Sequence, residues 1–394
     1  MKKRGKWALW VALSLNFLFV SFSEAAVSGL HVAGIQLLDA SGNVVVLRGV
    51  NRSGSEYACI QGWGIFDGPD LTNDDAQVPL MKSWGINAVN IGLNEDCWLN
   101  INGVTPAYGG TNYINAIKHE VATLESYGLY PVISLFWEAP GTQTANGQIA
   151  MPDNDHAPAF WQSVANTFKN DPNVIFRLKE EPYPAGNTDG SSAWGCWKNG
   201  DVQYDASGSL IPISNNSQCN EGYPVVGMQS LINIIRGAGA KNVIQVPGVQ
   251  YANSMTHFLD AAYKVNDTLN SPQLMAVVDV YPIGNICGSV SCYNAKYAPV
   301  IQQMPFMAGE FGESVDGSAA TTTNVDALMQ WFDQHGSGYL AWSWDTWGGN
   351  LQLITNYTTG APKSPWGTDY KNHLASLAAP DTTPPAAPKN LRLQ

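Results

Sequence analysis

Val174-Ile175-Phe176-Arg177-Leu178-Lys179-Glu180-Glu181-Pro182-Tyr183 reads as a β-strand that ends in a carboxylate. Val174, Ile175 and Phe176 are apolar strand formers. Glu181 stands at the tip, and Pro182, with no N–H to give a ladder, stops the pairing there. Pro305-Phe306-Met307-Ala308-Gly309-Glu310-Phe311-Gly312 repeats the arrangement with Glu310 near its end. Two carboxylates on separate rigid strands facing one cleft are what acid-assisted cleavage of a glycosidic bond requires. One donates a proton while the other attacks or stabilises the sugar carbon.

Working outward, strand-like and helix-like segments alternate along the chain. The strands expected are Val44 to Val50, Ala88 to Leu93, Tyr130 to Phe136, Val174 to Lys179, Asn242 to Val246, Leu274 to Tyr281, Pro305 to Gly309 and Gly338 to Trp342. Between them, Ile114, Ile117, Val121 and Leu124 recur at helical spacing with Gly128 as the stop, as do Phe160, Val164 and Phe168 before Asn170-Asp171-Pro172. Met228, Leu231, Ile232 and Ile235 continue the pattern, as do Val325, Leu328, Met329 and Phe332 behind an Asn324 cap. Eight strands separated by helices suit an α/β (β/α)₈ barrel, in which function lives at the strand C-termini. Leu30 to Leu38 and Val44 to Val50, flanking Gly42-Asn43, read as a short N-terminal β-hairpin that opens the domain.

The chain has 394 residues, 14 Trp and 16 Tyr against 13% charged residues, an aromatic load that fits either a large core or the flat faces of pyranose sugars. Lys2, Lys3, Arg4 and Lys6 precede a greasy stretch from Trp7 to Phe22 and then Ser23-Glu24-Ala25, the pattern of a secretory leader spanning 1–25. Its four cations and Glu24 contribute +3, so the remainder carries about −15 rather than −12. Such acidity argues against nucleic acid or an anionic membrane as partner. No later stretch reaches membrane-spanning length.

Six cysteines in an exported chain suggest three disulfides. Cys287 and Cys292 are near enough to close a local loop, Cys196 and Cys219 bracket another, and Cys59 and Cys97 remain. With no CxxC pair and six scattered histidines, no zinc or catalytic metal and no cofactor is expected. The connection from Ala185 to Tyr223, rich in Gly, Asn, Ser and Asp, is long enough to be either a floppy insertion or a substrate-binding wall stapled by Cys196 and Cys219, with Trp194 and Trp197 as platforms. Residues 380–394 form a Pro-rich linker that resembles the lead-in to a fibronectin type III module, leaving 26–379 as the main domain.

Leu47-Arg48-Gly49-Val50-Asn51, Leu93-Asn94-Glu95-Asp96-Cys97-Trp98, Trp137-Glu138-Ala139-Pro140-Gly141, Glu181-Pro182-Tyr183-Pro184, Gly309-Glu310-Phe311-Gly312 and Ala341-Trp342-Ser343-Trp344, in this order, resemble secreted bacterial members of glycoside hydrolase family 5, the clan of β-glycanases that includes cellulases. The resemblance spans roughly Leu30 to Leu377. It implies a retaining mechanism with acid/base on strand four and nucleophile on strand seven, positions that fall on Glu181 and Glu310. Retention calls for carboxyl groups about 5 to 5.5 Å apart. It further implies that Trp342 floors the subsite of the reacting sugar and that Tyr281 hydrogen-bonds the nucleophile. Glu180, Asp279, Asn90, Phe136 and Trp137 are placed with them as substrate contacts. The expected partner is a β-linked polysaccharide, most naturally β-1,4-glucan cut in endo fashion by a secreted monomer.

Four supporting positions depart from that family's pattern. Asn90 stands for an Arg in strand two, Phe136 for a His after strand three, Glu180 for the Asn before the acid/base, and Asp279 for a His two places before Tyr281. Two potential cations are lost and two potential anions gained, and crowded carboxylates raise one another's pKa values. Strand alternation puts Arg177 and Lys179 on the side of Glu181, where they return positive charge to the barrel or, placed against Glu181, depress its pKa. Two further readings follow. A carboxylate at Glu180, aided by Glu138, Asp279 and Glu313 near the mouth, suits a 2-ammonium sugar such as those of chitosan. Alternatively, the altered shell leaves a catalytically impaired carbohydrate-binding protein. Gly237-Ala238-Gly239-Ala240 lies between a helix and a strand, the wrong order for a phosphate loop, and no Gly-x-Ser-x-Gly elbow supports an esterase.

Overall fold

A computed structural model describes residues 27–211 and 219–378, so the expected leader (1–25) and the Pro-rich linker (380–394) lie outside the described residues. Eight parallel strands close into a barrel: β1 (Arg48–Arg52), β2 (Ala88–Asn94), β3 (Tyr130–Trp137), β4 (Ile175–Arg177), β5 (Ile244–Pro247), β6 (Leu274–Val280), β7 (Phe306–Phe311) and β8 (Gly338–Ala341). Each pairs with its sequence neighbour and β8 returns to β1, as the alternation of strands and helices predicts.

The side-chain alternation of the strands sorts residues into two cores. Outward-facing Val89, Ile91, Leu93, Ile133, Phe176, Val246 and Val278 meet the helices. The helical faces expected from spacing are the buried ones: Ile117, Val121 and Leu124 in Thr111–Ser126, Phe160, Val164 and Phe168 in Ala157–Phe168, Leu231, Ile232 and Ile235 in Met228–Gly237, and Leu328, Met329 and Phe332 in Thr323–Gln334. Inward-facing Leu47, Val132, Ile175, Met275, Val277, Met307 and Leu340 fill the lower barrel, and Leu30, Val32 and Leu37 plug its floor.

Three local expectations need correction. The N-terminal hairpin pairs His31–Ala33 with Gln36–Leu38 around Gly34, whose φ of +63° suits a two-residue turn, and β1 begins only at Arg48. The expected turn at Gly42-Asn43 does bring the two segments together, but only briefly: Leu38 bridges antiparallel to Val44, and the Val45 N–H donates to Leu37 O at 2.9 Å. The helix Thr323–Gln334 lacks an Asn324 cap. Glu313, arriving from the loop after β7, instead accepts from the Asn324 and Val325 N–H groups at 3.3 and 3.0 Å.

The long connection after Glu181 is a structured segment in its described part, and its start, at Asn187, reaches the open end of the barrel beside Glu181. It holds a helix, Ser191–Asn199, and a small hairpin of Gln203–Tyr204 with Leu210–Ile211. All three expected cysteine pairs form: Cys59–Cys97, Cys196–Cys219 and Cys287–Cys292. Among the described residues no helix is long and apolar enough to cross a membrane.

Candidate active site

At the C-terminal end of the barrel, Glu181 and Glu310 line one cleft of about 480 Å³, with Phe136, Tyr281, Trp342 and Tyr251 among its walls. The ladder of β4 continues past its regular part: Leu178 N–H donates to Gln245 O at 3.2 Å and Glu180 N–H to Leu135 O at 2.9 Å. The chain then breaks. Glu181 sits at φ +43°, a left-handed conformation costing about 1–3 kcal/mol that only surrounding structure can hold. On β7 the register slips at Gly309, so that Glu310 pairs with Asp279 while Ala308 pairs with Val278. Such a bulge re-aims the side chain that follows it. A Cβ on Gly309 would lie 2.5 Å from the Arg177 guanidinium carbon, so this strand needs glycine to pass the charge packed beneath it.

Glu310 is 4% exposed. Its Oε2 accepts from the Tyr281 hydroxyl at 2.8 Å, and its Oε1 has no protein hydrogen-bond partner. Burial, together with the charges of Asp279, Glu181 and Glu180, pushes its carboxyl well above the usual range against the pull of Arg177. Burial and the charges of Asp279 and Glu180 lift Glu181 to about 8. A carboxylic acid still protonated near neutral pH can donate a proton to a leaving oxygen.

Directly beneath lies a buried ionic layer. The Arg177 guanidinium donates to Asp279 Oδ2 at 2.7 Å, and its Nη1 lies 2.9 Å from Glu180 Oε2. Asn90 Nδ2 donates to Glu180 Oε1 and to Asn51 Oδ1, both at 2.7 Å, and Asn51 Nδ2 donates to Gly309 O at 2.9 Å. One carboxylate oxygen each from Glu180, Asp279 and Glu310 lies within 4.8 Å of the others, with Arg177 as their counter-ion. Burial raises Asp279 to about 7, opposed by Arg177 and helped by the charge of Glu180.

A family profile described as Cellulase (glycosyl hydrolase family 5) matches residues 38–348. The chain belongs to glycosyl hydrolase family 5. Among its relatives, a mannan endo-1,4-beta-mannosidase of Cellvibrio japonicus is 22% identical over 90% of this chain and 68% of its own length. One of Streptomyces lividans is 22% identical over 92% and 78%. Among solved structures, a beta-glucanase of Saccharophagus degradans in complex with cellotetraose superposes with a TM-score of 0.62 at 16% identity, covering 90% of this chain and 95% of that one. The catalytic domain of an endoglucanase of Thermobifida fusca gives 0.60 at 16% identity, covering 88% and 97%. At those identities the structural likeness establishes the shared barrel.

In this family 5 glycosyl hydrolase, Glu181, Glu310, Phe136, Tyr281 and Trp342 meet at the cleft, and Phe136 contacts Trp342 edge-on at 5.8 Å. Asn90, Glu180 and Asp279, expected as substrate contacts, do not line it. They are at most 2% exposed, and their ion pairs and hydrogen bonds go to Arg177, to Asn51 and to one another. The ammonium-binding reading loses its basis for the same reason. Glu138 is buried against Lys179, and Glu313 caps a helix. Arg177 and Lys179 do restore positive charge, but their partners are Asp279, Glu180 and Glu138 rather than Glu181.

Trp194 and Trp197 are not platforms. Both are fully buried, 5.1 Å apart, with the Trp194 indole donating to Asp189 Oδ1 at 2.7 Å and that of Trp197 to Pro247 O at 2.9 Å. Trp137 sits beside Tyr57, 6.0 Å away, a ring that also meets Trp63 and Trp347. Sequence reasoning missed Gln148 and Tyr251, which come from loops, and did not single out Asn187 within the connection it read as a wall. Tyr251 stacks on Tyr183 at 4.5 Å, and its N–H donates to Pro182 O at 3.1 Å, next to Glu181. The available signal was its place just past the end of a barrel strand.

Proposed function

We propose that this family 5 hydrolase is a secreted, retaining enzyme that cuts β-1,4-linked polysaccharide internally, with β-1,4-glucan as its substrate. Glu181 is the acid/base and Glu310 the nucleophile. The observation that carries the reading is a pair of buried carboxyl groups lining one cleft at the strand tips, Glu181 lifted to about 8 by burial and neighbouring charge and Glu310, also raised by burial, held by the Tyr281 hydroxyl at 2.8 Å. In the first step Glu181 gives its proton to the glycosidic oxygen as a Glu310 oxygen bonds to the anomeric carbon and the leaving sugar departs. In the second, Glu181 takes a proton from water, whose oxygen displaces Glu310 and regenerates both groups. Burial and crowding disfavour ionised Glu310 in the free site. Positive charge developing at the anomeric carbon favours it, so the stabilisation is greatest in the transition state. Three disulfides support an exported protein.

A mannan substrate is the second reading, favoured by the two mannan endo-mannosidases that match nine-tenths of the chain. Glu180 is turned away from the cleft into the ionic layer, so this position does not read the configuration at C2, where glucose and mannose differ. Carboxymethyl-cellulose, glucomannan, galactomannan and chitosan assayed with wild type and Glu310→Gln decide the matter. The expected result is falling viscosity ahead of reducing-end release on a β-1,4-glycan other than chitosan, lost in the variant. Equal rates in both proteins would refute the nucleophile, and tight oligosaccharide binding without turnover or labelling by a fluoroglycoside would refute the catalytic reading.

A further inference from the structure

Beside the cleft, but not lining it, lies a second group of acids that the proposed chemistry does not use. Glu95, Glu138 and Asp153 are 0%, 1% and 0% exposed, and one carboxylate oxygen from each lies within 4.8 Å of the others. Their placement follows from the fold. Asn94 ends β2 and caps the short helix Glu95–Leu99 through the Cys97 N–H, which turns Glu95 inward, and Glu138 directly follows β3. Asp153 sits just before the helix Ala157–Phe168, its Oδ1 accepting from the His156 N–H at 2.8 Å.

The partners available do not satisfy these acids. Lys179 pairs with Glu138. Neither oxygen of Glu95 accepts a hydrogen bond from a protein group, nor does Asp153 Oδ2. His156 is the nearest other nitrogen, with Nδ1 at 3.5 Å from Glu95 and 3.6 Å from Asp153, but Nδ1 also faces Ala139 O at 3.1 Å. Asp96, also fully buried, is already satisfied by Asn102 Nδ2 and the Ala145 N–H, both at 2.9 Å. Three carboxyl groups thus face one buried ammonium, with Glu95 and Asp153 in direct carboxyl–carboxyl contact, and each of them that ionises without a further cation leaves charge uncompensated at a cost of several kcal/mol per ion.

We propose that Glu95, Glu138 and Asp153 bind one divalent cation, best matched by calcium, which ties together the two ends of the loop spanning 138–153. A donor set of three carboxylates, with the His156 Nδ1 beside it facing the Ala139 carbonyl at 3.1 Å, suits a hard cation. Calcium tolerates irregular oxygen geometry at about 2.3–2.6 Å, whereas magnesium demands an octahedron and keeps its waters. Oxygens within 4.8 Å of one another stand near the span that an ion at that distance bridges, so that small side-chain rotations bring all three onto it. Glu138 and Asp153 are the loop's two ends, and Gln148 within it lines the cleft beside Glu181. The site is therefore structural, fixing a wall of the cleft without touching the reacting groups, and it stands whatever glycan the enzyme cuts.

The test uses the full chain, assayed for metal as purified and then stripped with EDTA. Calcium, magnesium and manganese chlorides are titrated separately, followed by calorimetry and thermal unfolding. The expected result is one calcium per chain and a Tm that rises and saturates with calcium, lost in Glu95→Gln and in Asp153→Asn; Glu310→Gln keeps it. Stripped wild type that binds none of the three ions, with Tm indifferent to each, would overturn the proposal and show that the acids are neutralised by protons instead. That wild-type result decides the question even if both variants fail to fold.

Discussion

Glu181, the proposed acid/base, and Arg177, the buried cation beneath it, set the charge balance of the site at the scale of single residues. Asp279 is among the charges that hold Glu181 at about 8, so activity should fall on an alkaline limb near pH 8 as the acid loses its proton. Asp279→Asn removes a neighbouring negative charge and should move that limb to lower pH in a kcat/KM profile; an unmoved limb would assign it to another group. Arg177 is the cation shared by Glu180 and Asp279. Removing one partner of a buried ion pair costs about 3–5 kcal/mol. Arg177→Met should therefore lower Tm, and more at pH 8 than at pH 5, because protonation relieves the stranded carboxylates only in acid. Calorimetry at the two pH values checks this. Glu181 and Glu310 were legible in sequence because strand, acid and stop follow one another locally. The Arg177 network was legible only as a tendency: alternation says that residue 177 faces inward, not which of four inward acids it meets.

Elements explain why the aromatic residues of the long connection were misread. The sequence from 185 to 223 is polar and glycine-rich between its tryptophans, as a solvated loop would be. Yet residues 194 and 197 lie three apart, on one face of the helix Ser191–Asn199, and that face packs on Phe258. Trp197→Ala should thus act through the fold, destabilising by about 3–5 kcal/mol as large-to-small core changes do, while leaving KM for a soluble glycan unchanged. Trp342→Ala should instead change KM or kcat at a nearly constant Tm. A raised KM in Trp197→Ala at full stability would restore the platform reading. The Gly309 bulge is an element-scale device that no local pattern announces, since its cause is a guanidinium arriving from β4, three strands away around the barrel.

The whole molecule is shaped by how much acid it buries. Burial is the first cause of elevation in Glu56 and Glu181 at about 8, in Glu138 and Asp279 at about 7, and in Glu95, Glu120 and Glu310. Because their folded values exceed the ordinary 3.8 to 4.5, the native state binds more protons than the unfolded chain between about pH 4.5 and 8. The stability they contribute is complete below that window and is lost as pH rises through it. Asp267 and Asp333 act in the opposite sense. Held low despite burial by Arg236 and by His373 and Arg48, they contribute stability that is lost as pH falls through their values. Without added metal, Tm should peak on the acidic side of neutrality and decline from pH 5 to 8. A Tm that rises across that range would show that these acids are ionised in the native state.

Strand and helix periodicity and terminal prolines are local signals, so the barrel and the two acids at its strand tips were legible along the chain, as was the loop closed by Cys287 and Cys292, 5 residues apart, whereas Cys59–Cys97, 38 residues apart, followed only by elimination. Which charges neutralise one another, which tryptophans face water and which acids lack a counter-ion emerged with the folded barrel. Those outcomes depend on side chains from distant strands meeting inside a low-dielectric barrel, where a partner's position over a few ångströms matters more than its place in the chain.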